Sequence, residues 1–392
     1  MLTGLTIKNF KAAVDASVSL SQLTLLVGPN GAGKTTVLQA IDLLGWLSSA
    51  PIDSFLSAHR GEYSDLPHLR SSSSRFSVAA ELALEIRRGP STPAASEKIV
   101  WEIELGARRF PGVAGERVLR GGRPVLERRG RKMSRLDEAS GEEERVEQTL
   151  TSSWLSTVDT KRDARRFPTL VAVRSWAERI RGYFFLDPVG LRSPNRGNGQ
   201  EIGLHGEFLA PFIAGLRDRD RAGFDRLVAR VQRHYPRLVA ISPRRTRGGW
   251  THLEITEKWN AEKADFNARQ VSDGLLRLIG IAAMHELPVR PSMLLLDEIE
   301  NGLHPHLLGA LMAMLRDLLK GKPDVQIVAA THSPIVLNYC DSPREVVLVT
   351  REHGAITLHR MDASMRVQKL LRHFDLGELW YNVGDQGLRD RQ

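Results

Sequence analysis

The sequence predicts an α/β fold in which two sheet-forming segments flank a charged, mostly helical insertion. Three observations carry this reading. Short apolar runs that suit buried parallel strands occur towards both ends of the chain. A glycine-rich turn joins one of them directly to a helix. Between Arg108 and Arg247 the texture changes, with 30 basic against 17 acidic residues in a chain whose net charge is +9. The expected division is an N-terminal lobe over 1–130, a basic and mostly helical insertion over 131–235, and a C-terminal lobe over 236–392.

"LTGLTIKNF" and "QLTLLVG" read as strands flanking a polar turn, and "KTTVLQAIDLLGWL" as a helix. "RFSVAAELALEI" and "KIVWEIELGA" alternate as strands do, separated by the Pro/Ser-rich loop "RRGPSTPAASE". "RVLRGGRPVLER" predicts a hairpin turning on Gly121-Gly122. The acidic run "DEASGEEERVE" reads as a solvated loop or helix end, and "GEFLAPFIAGL" and "FDRLVARVQRHY" as amphipathic helices. Strand-like "LVAIS" and "WTHLEITEKW" follow. "RQVSDGLLRLIGIAAM" then opens a helix on small polar residues, with Ser272 and Asp273 as N-cap types and Leu275, Leu276, Ile279 and Ala283 at helical spacing. "SMLLLD", "VQIVAATHS" and "EVVLVT" complete the apolar strands. Pro305 within "HPH" predicts a helix start, with a metal-binding pair of His304 and His306 as the alternative.

At 392 residues, 42% apolar and 26% charged, the chain has an ordinary globular composition. Its one cysteine, Cys340, excludes a disulfide framework and a cysteine zinc cluster, and fits a reducing compartment. The N-terminus lacks the charged and apolar regions of a signal peptide, and no apolar run reaches the ~20 residues that span a bilayer. A cytoplasmic protein without membrane contact is expected. Of the 55 basic residues 44 are arginine. The basic middle segment is either a solvated surface or one that meets DNA, RNA or an acidic protein. Sparse aromatic residues there argue against stacking of single strands.

"GPNGAGKTT", Gly28 to Thr36, fits the P-loop pattern G-x-x-x-x-G-K-[ST] between a strand and a helix. Such a loop turns backbone N–H groups towards phosphate oxygens, so Asn30, Gly31, Gly33, Lys34, Thr35 and Thr36 are expected to bind ATP. Lys34 would offset the β- and γ-phosphate charge and Thr35 would hold Mg²⁺. "MLLLDEIE" ends an apolar strand on Asp297, the second expected Mg²⁺ ligand, and Glu298 would orient the attacking water. Asp297 lies 263 residues after Lys34, which argues against small GTPases and helicase-like motors unless an insertion intervenes. "AATHSP" ends a further strand with His332, placed at the ligand-binding edge of an open sheet, where it can sense the γ-phosphate.

P-loop, Ser-x-Gly helix start, Asp-Glu strand end and strand-end His occur in the order of the ABC-type ATPases. "LTIKNFKAAVDASVSLSQLTLLVGPNGAGKTTVLQAI" resembles the N-terminal pattern of SMC and RecF proteins. "VSDGLLRL", "LLLDEIENGLHPHL" and "THSPIVLNY" resemble most closely the OLD-like (overcoming lysogenization defect) AAA ATPases. The resemblance covers 1–105 and 236–345 and the insertion only loosely. It implies a P-loop NTPase of the ABC/SMC-head type that hydrolyses ATP with Mg²⁺ between two heads. In that arrangement Ser272 and Gly274 form the signature and meet the nucleotide of another subunit. Lys11, in the family's "nF(K/R)" position, becomes a phosphate contact, with an exposed strand-end turn as the alternative. The transporter signature "LSGGQ" is absent, Asp273 standing where its first glycine would be, and no glutamine stands out as a Q-loop residue.

OLD nucleases carry a TOPRIM domain whose metal site needs a strand-end Glu and a later Asp-x-Asp. The 60 residues after His332 hold Asp341, Asp362, Asp375, Asp385 and Asp390 but no Asp-x-Asp, so the chain is expected to have the ATPase and to lack the nuclease. The resemblance points to an ATPase controlling a separately encoded nuclease or toxin in antiphage defence. A RecF- or SMC-type DNA-clamping ATPase is the alternative, and an ABC transporter subunit a weaker one.

Overall fold

Alternation along Phe76–Ile86, where every second side chain is buried, makes that segment a central strand of a large antiparallel sheet. The computed structural model describes residues 1–86, 95–106, 112–184, 188–197, 199–260 and 262–387; most of the Pro/Ser-rich loop and Asp390 lie outside them. The eight strands run in the order Ala13–Ser19, Leu2–Phe10, Phe76–Ile86, Ala95–Gly106, Gly112–Arg120, Arg123–Arg129, Lys132–Leu136 and Glu143–Glu147. Gly121 and Gly122, with φ of 54° and 82°, make the predicted two-residue hairpin turn.

Two features of this sheet differ from expectation. A whole strand, Ala13–Ser19, lies where a polar turn was expected, pairing back along Leu2–Phe10. The sheet also continues past residue 130, through a hairpin that the expected lobe boundary would cut. The acidic run Glu143–Glu147 is an edge strand because its partner is basic: Arg135 faces Glu144 and Lys132 faces Glu147 across the ladder. Opposite charges on facing positions stabilise such a pair, and that partner is invisible when the acidic run is read alone.

The second sheet has the order Ile180–Tyr183, Met293–Leu296, Gln326–Thr331, Leu23–Val27, Val346–Glu352 and Ala355–Arg360. The first five strands are parallel and the last is antiparallel. Both faces are covered, which explains the unbroken apolar runs. Leu294, Leu296, Ile327 and Ala329 point into one core with the Asp273–Met284 and Pro305–Leu319 helices. Met293, Leu295, Val328 and Ala330 point into the other, with the Lys34–Leu47 helix and the large sheet.

Residues 131–235 are therefore not a separate, mostly helical unit. Their first strands finish the large sheet, Pro168–Ala177 packs in its core, and Ile180–Tyr183 becomes an edge of the parallel sheet. Only the later helices, Leu209–Arg219 and Arg221–His234, follow expectation. They share a core with the Asp273–Met284 helix and with a three-stranded sheet of Leu238–Arg245, Thr251–Trp259 and Glu262–Asn267. Among the described residues no helix is long and apolar enough to cross a membrane.

Candidate nucleotide-binding site

The Leu23–Val27 strand delivers its C-terminal end into the loop that follows. Gly28, Gly31 and Gly33 have φ of 149°, 74° and 108°, a region that side chains disfavour. Two of them also have no room: a Cβ on Gly28 would lie 2.1 Å from Val349 O, and one on Gly33 would lie 2.3 Å from Ile356 Cγ2. The helix beginning at Lys34 has Gly33 as its N-cap and no side-chain cap, so its first N–H groups face the loop. Asn30 is exposed at the crown and Thr36 is buried behind it. Lys34 is folded onto its own loop, donating to Gly28 O at 2.7 Å and Pro29 O at 3.1 Å. Burial holds its ammonium below the usual lysine range against the attraction of Asp297, Glu300 and Glu298.

Met293–Leu296 runs parallel to the strands beside it and ends on Asp297. Thr35 Oγ1 donates to Asp297 Oδ2 at 2.7 Å, so the two expected Mg²⁺ ligands are in contact. Asp297 Oδ1 is buried with no hydrogen-bond partner among the described residues. A buried carboxylate oxygen left open beside a hydroxyl is a donor set that suits a hard cation. Burial pushes the Asp297 carboxyl up, and neighbouring Glu298 pushes the same way. Glu298 itself adopts φ of 47°, a conformation that costs about 1–3 kcal/mol without glycine. Its Oε2 accepts from Asn301 Nδ2 at 3.1 Å, and the side chain is exposed.

Thr35, Asp297 and Glu298 line one cavity of about 390 Å³ together with Gln39, His59 and His205. Sequence reasoning missed the last three. Gln39 was findable, since it lies one helical turn beyond Thr35 on the same face. His59 Nε2 contacts Asp42 Oδ2 at 2.8 Å and its Nδ1 lies 3.3 Å from Gln39 Nε2. His205 Nδ1 is 2.6 Å from Phe184 O. Lys11, at φ of 48°, donates to Gln39 Oε1 at 2.6 Å and reaches the site through that side chain. At the neighbouring strand end His332 is half-exposed, with Nδ1 3.0 Å from Glu300 Oε1. The same oxygen accepts from the His332 amide at 2.6 Å, a partner that the sequence did not reveal.

Ser272 and Gly274 are not among the residues lining this cavity. Ser272 is exposed and its Oγ accepts from Leu275 N at 3.3 Å, as an N-cap should. Gly274 packs against Gly302, whose carbonyl oxygen would be 3.2 Å from an added Cβ. Asp273, the first residue of the helix that Ser272 caps, pairs with Arg192. His304 caps the Pro305–Leu319 helix by accepting from His306 N, in line with a helix start.

The middle segment spends much of its positive charge internally. Arg120 pairs with Glu97 and Glu138, Arg166 with Asp137 and Glu144, and Arg226 and Arg230 with Glu286.

Comparison with known proteins adds to this geometry. Residues 201–338 match the family described as "AAA domain, putative AbiEii toxin, Type IV TA system", and residues 1–79 match that described as "AAA ATPase domain". An OLD nuclease of Thermus scotoductus is 57% identical over 44 residues, which is 11% of this chain and only 8% of that protein's length. An SMC head bound to the C-winged helix domain of ScpA superposes with a TM-score of 0.56 at 15% identity, covering 91% of this chain and 96% of the other. The Pyrococcus furiosus SMC head with an extended coiled coil, bound to the C-terminal domain of ScpA, gives 0.54 at 13%, covering 95% and 99%. The chain has the P-loop NTPase α/β fold of SMC heads, and two segments of its sequence match the models of AAA ATPase domains.

Proposed function

We propose that this chain binds ATP with Mg²⁺ and hydrolyses it between two copies of itself. The observation that carries the reading is the Thr35–Asp297 contact, with its open carboxylate oxygen, in a cavity shared with Glu298. Thr35 and Asp297 would hold the cation, which supplies charge stabilisation to the phosphates. Lys34 leaves its loop carbonyls to meet the β- and γ-phosphates, and Glu298 accepts the proton of the attacking water. His332, oriented by Glu300, bonds the γ-phosphate. Ser272 and Gly274 act on the nucleotide of the second copy, a role supported by their not lining their own cavity.

The reaction then serves as a switch for a separately encoded effector, a nuclease or toxin, in antiphage defence. The short identity with an OLD nuclease and the match to a toxin-system family support that role. SMC heads bound to a domain of ScpA offer a precedent for a head that works with a second protein. A DNA-clamping role is less favoured, since the arginines of the middle segment are extensively paired within the chain.

Two variants test the site. Lys34→Ala should weaken ATP binding by about tenfold or more, because the buried phosphate charge loses its partner. Glu298→Gln should bind ATP as the parent does yet turn over about 100- to 10,000-fold more slowly. Parent-level hydrolysis by Glu298→Gln removes that residue from its role.

A further inference from the structure

Asp273 stands between the two signature residues, where a second copy's γ-phosphate is expected. An open carboxylate at that point would repel the phosphate. Arg192 answers this charge. Its Nε donates to Asp273 Oδ1 at 3.1 Å and its Nη2 bonds the same oxygen. The guanidinium also donates to three backbone carbonyls of the approach to the turn: Ala268 O at 3.1 Å, Arg269 O at 2.7 Å and Val271 O at 2.8 Å. A planar fork with five donors suits this set, and a lysine would reach only part of it. The helix Pro188–Arg192 follows the strand Ile180–Tyr183, whose last carbonyl accepts from the Asp297 amide at 3.3 Å. Arg192 thus sits on the chain that leaves the cation end of the cavity.

We propose that Arg192 is a positioning residue of the signature, neutralising Asp273 so that Ser272 can meet the phosphate on a second copy. The inference rests on the two-copy reading above. It predicts a charge dependence that a mere brace would lack. In a Glu298→Gln chain, which retains ATP, Arg192→Gln keeps the stem and two donors but loses the charge. ATP-dependent self-association, followed by light scattering, should weaken about tenfold or more, as like charges do when brought together. ATP binding to the dilute single chain, read with a fluorescent analogue, should not change. Adding Asp273→Asn should restore association, and Arg192→Lys should retain most of it.

The outcomes separate cleanly. Association of Arg192→Gln equal to that of its background overturns the inference. So does a loss that Asp273→Asn does not repair, which would make Arg192 a structural brace. Asp273→Asn alone keeps the carbonyl bonds and gives a second reading. Adding Arg192→Gln to it should cost little, and a cost as large as in the Asp273 chain counts against charge neutralisation. Failure of the Glu298→Gln background itself to associate with ATP, with apo protein monomeric, sinks the two-copy reading and this inference together, a result distinct from a defect confined to Arg192 variants.

Discussion

Thr35 Oγ1 and Asp297 Oδ2, 262 residues apart in the chain, are joined by a 2.7 Å hydrogen bond between the start of the Lys34–Leu47 helix and the residue that follows the Met293–Leu296 strand. The contact leaves Asp297 half-satisfied: one oxygen takes the hydroxyl and the other is buried with no partner among the described residues. A buried polar atom left unsatisfied in this way costs stability.

Asp297→Asn should therefore separate stability from function. The amide oxygen can still accept from Thr35, and the neutral side chain relieves the burial and the Glu298 repulsion that raise the carboxyl's pKa. The variant should melt at or above the parent's temperature, while losing most of the gain in ATP affinity that Mg²⁺ confers. Calorimetric titration with Mg²⁺ and with chelator reads that gain; an unchanged gain sinks the assignment.

On the proposed two-copy reading, with Ser272 serving the nucleotide of a second copy, two inactive chains should complement each other. Lys34→Ala mixed with Ser272→Arg forms one site with both defects and one with neither. Up to about a quarter of parent activity is expected from random pairing, if the sites fire independently. Background activity after verified subunit exchange, in a protein whose two sites are shown not to be coupled, counts against the geometry.

Glu300 fixes His332 through its amide and its ring. Glu300→Gln should lower kcat less than His332→Ala, and the double variant should be no slower than His332→Ala. The two changes touch one hydrogen-bonded unit, so their effects should overlap by about 0.5–3 kcal/mol in a double-mutant cycle. Additive losses would mean that Glu300 does not act through His332.

His285 is the C-cap of the Asp273–Met284 helix, with its Nε2 buried and without a hydrogen-bond partner among the described residues. Burial pushes the imidazole down to about 3, and Arg230 and Lys322 push in the same direction. Its folded pKa lies below the unfolded value of about 6.5, so in that window the unfolded chain binds the extra proton. Stability is full above the unfolded pKa and falls as pH drops towards the folded one, by up to about 1.4 kcal/mol per pH unit. Urea unfolding at pH 7.5 and 5.0 should show a smaller pH effect in His285→Leu than in the parent. Equal pH effects would show that this group is not buried neutral.

Residues whose meaning lies in local backbone chemistry were legible without coordinates. The glycines of "GPNGAGKTT" need positive φ, apolar runs bounded by turns make buried strands, and Ser272 caps the helix that follows it. Those features put Lys34 and Thr35 at a helix start and Asp297 and His332 immediately after apolar strands, where the structure also has them. What decided the rest was pairing across long stretches of chain. Glu143–Glu147 became a strand because Lys132 and Arg135 face it. Glu300 became the partner of His332, Gln39 that of Lys11, and Arg192 that of Asp273. A single charged or polar side chain carries no record of which distant group will desolvate or neutralise it. That choice is made only when packing brings the two together and removes the water between them.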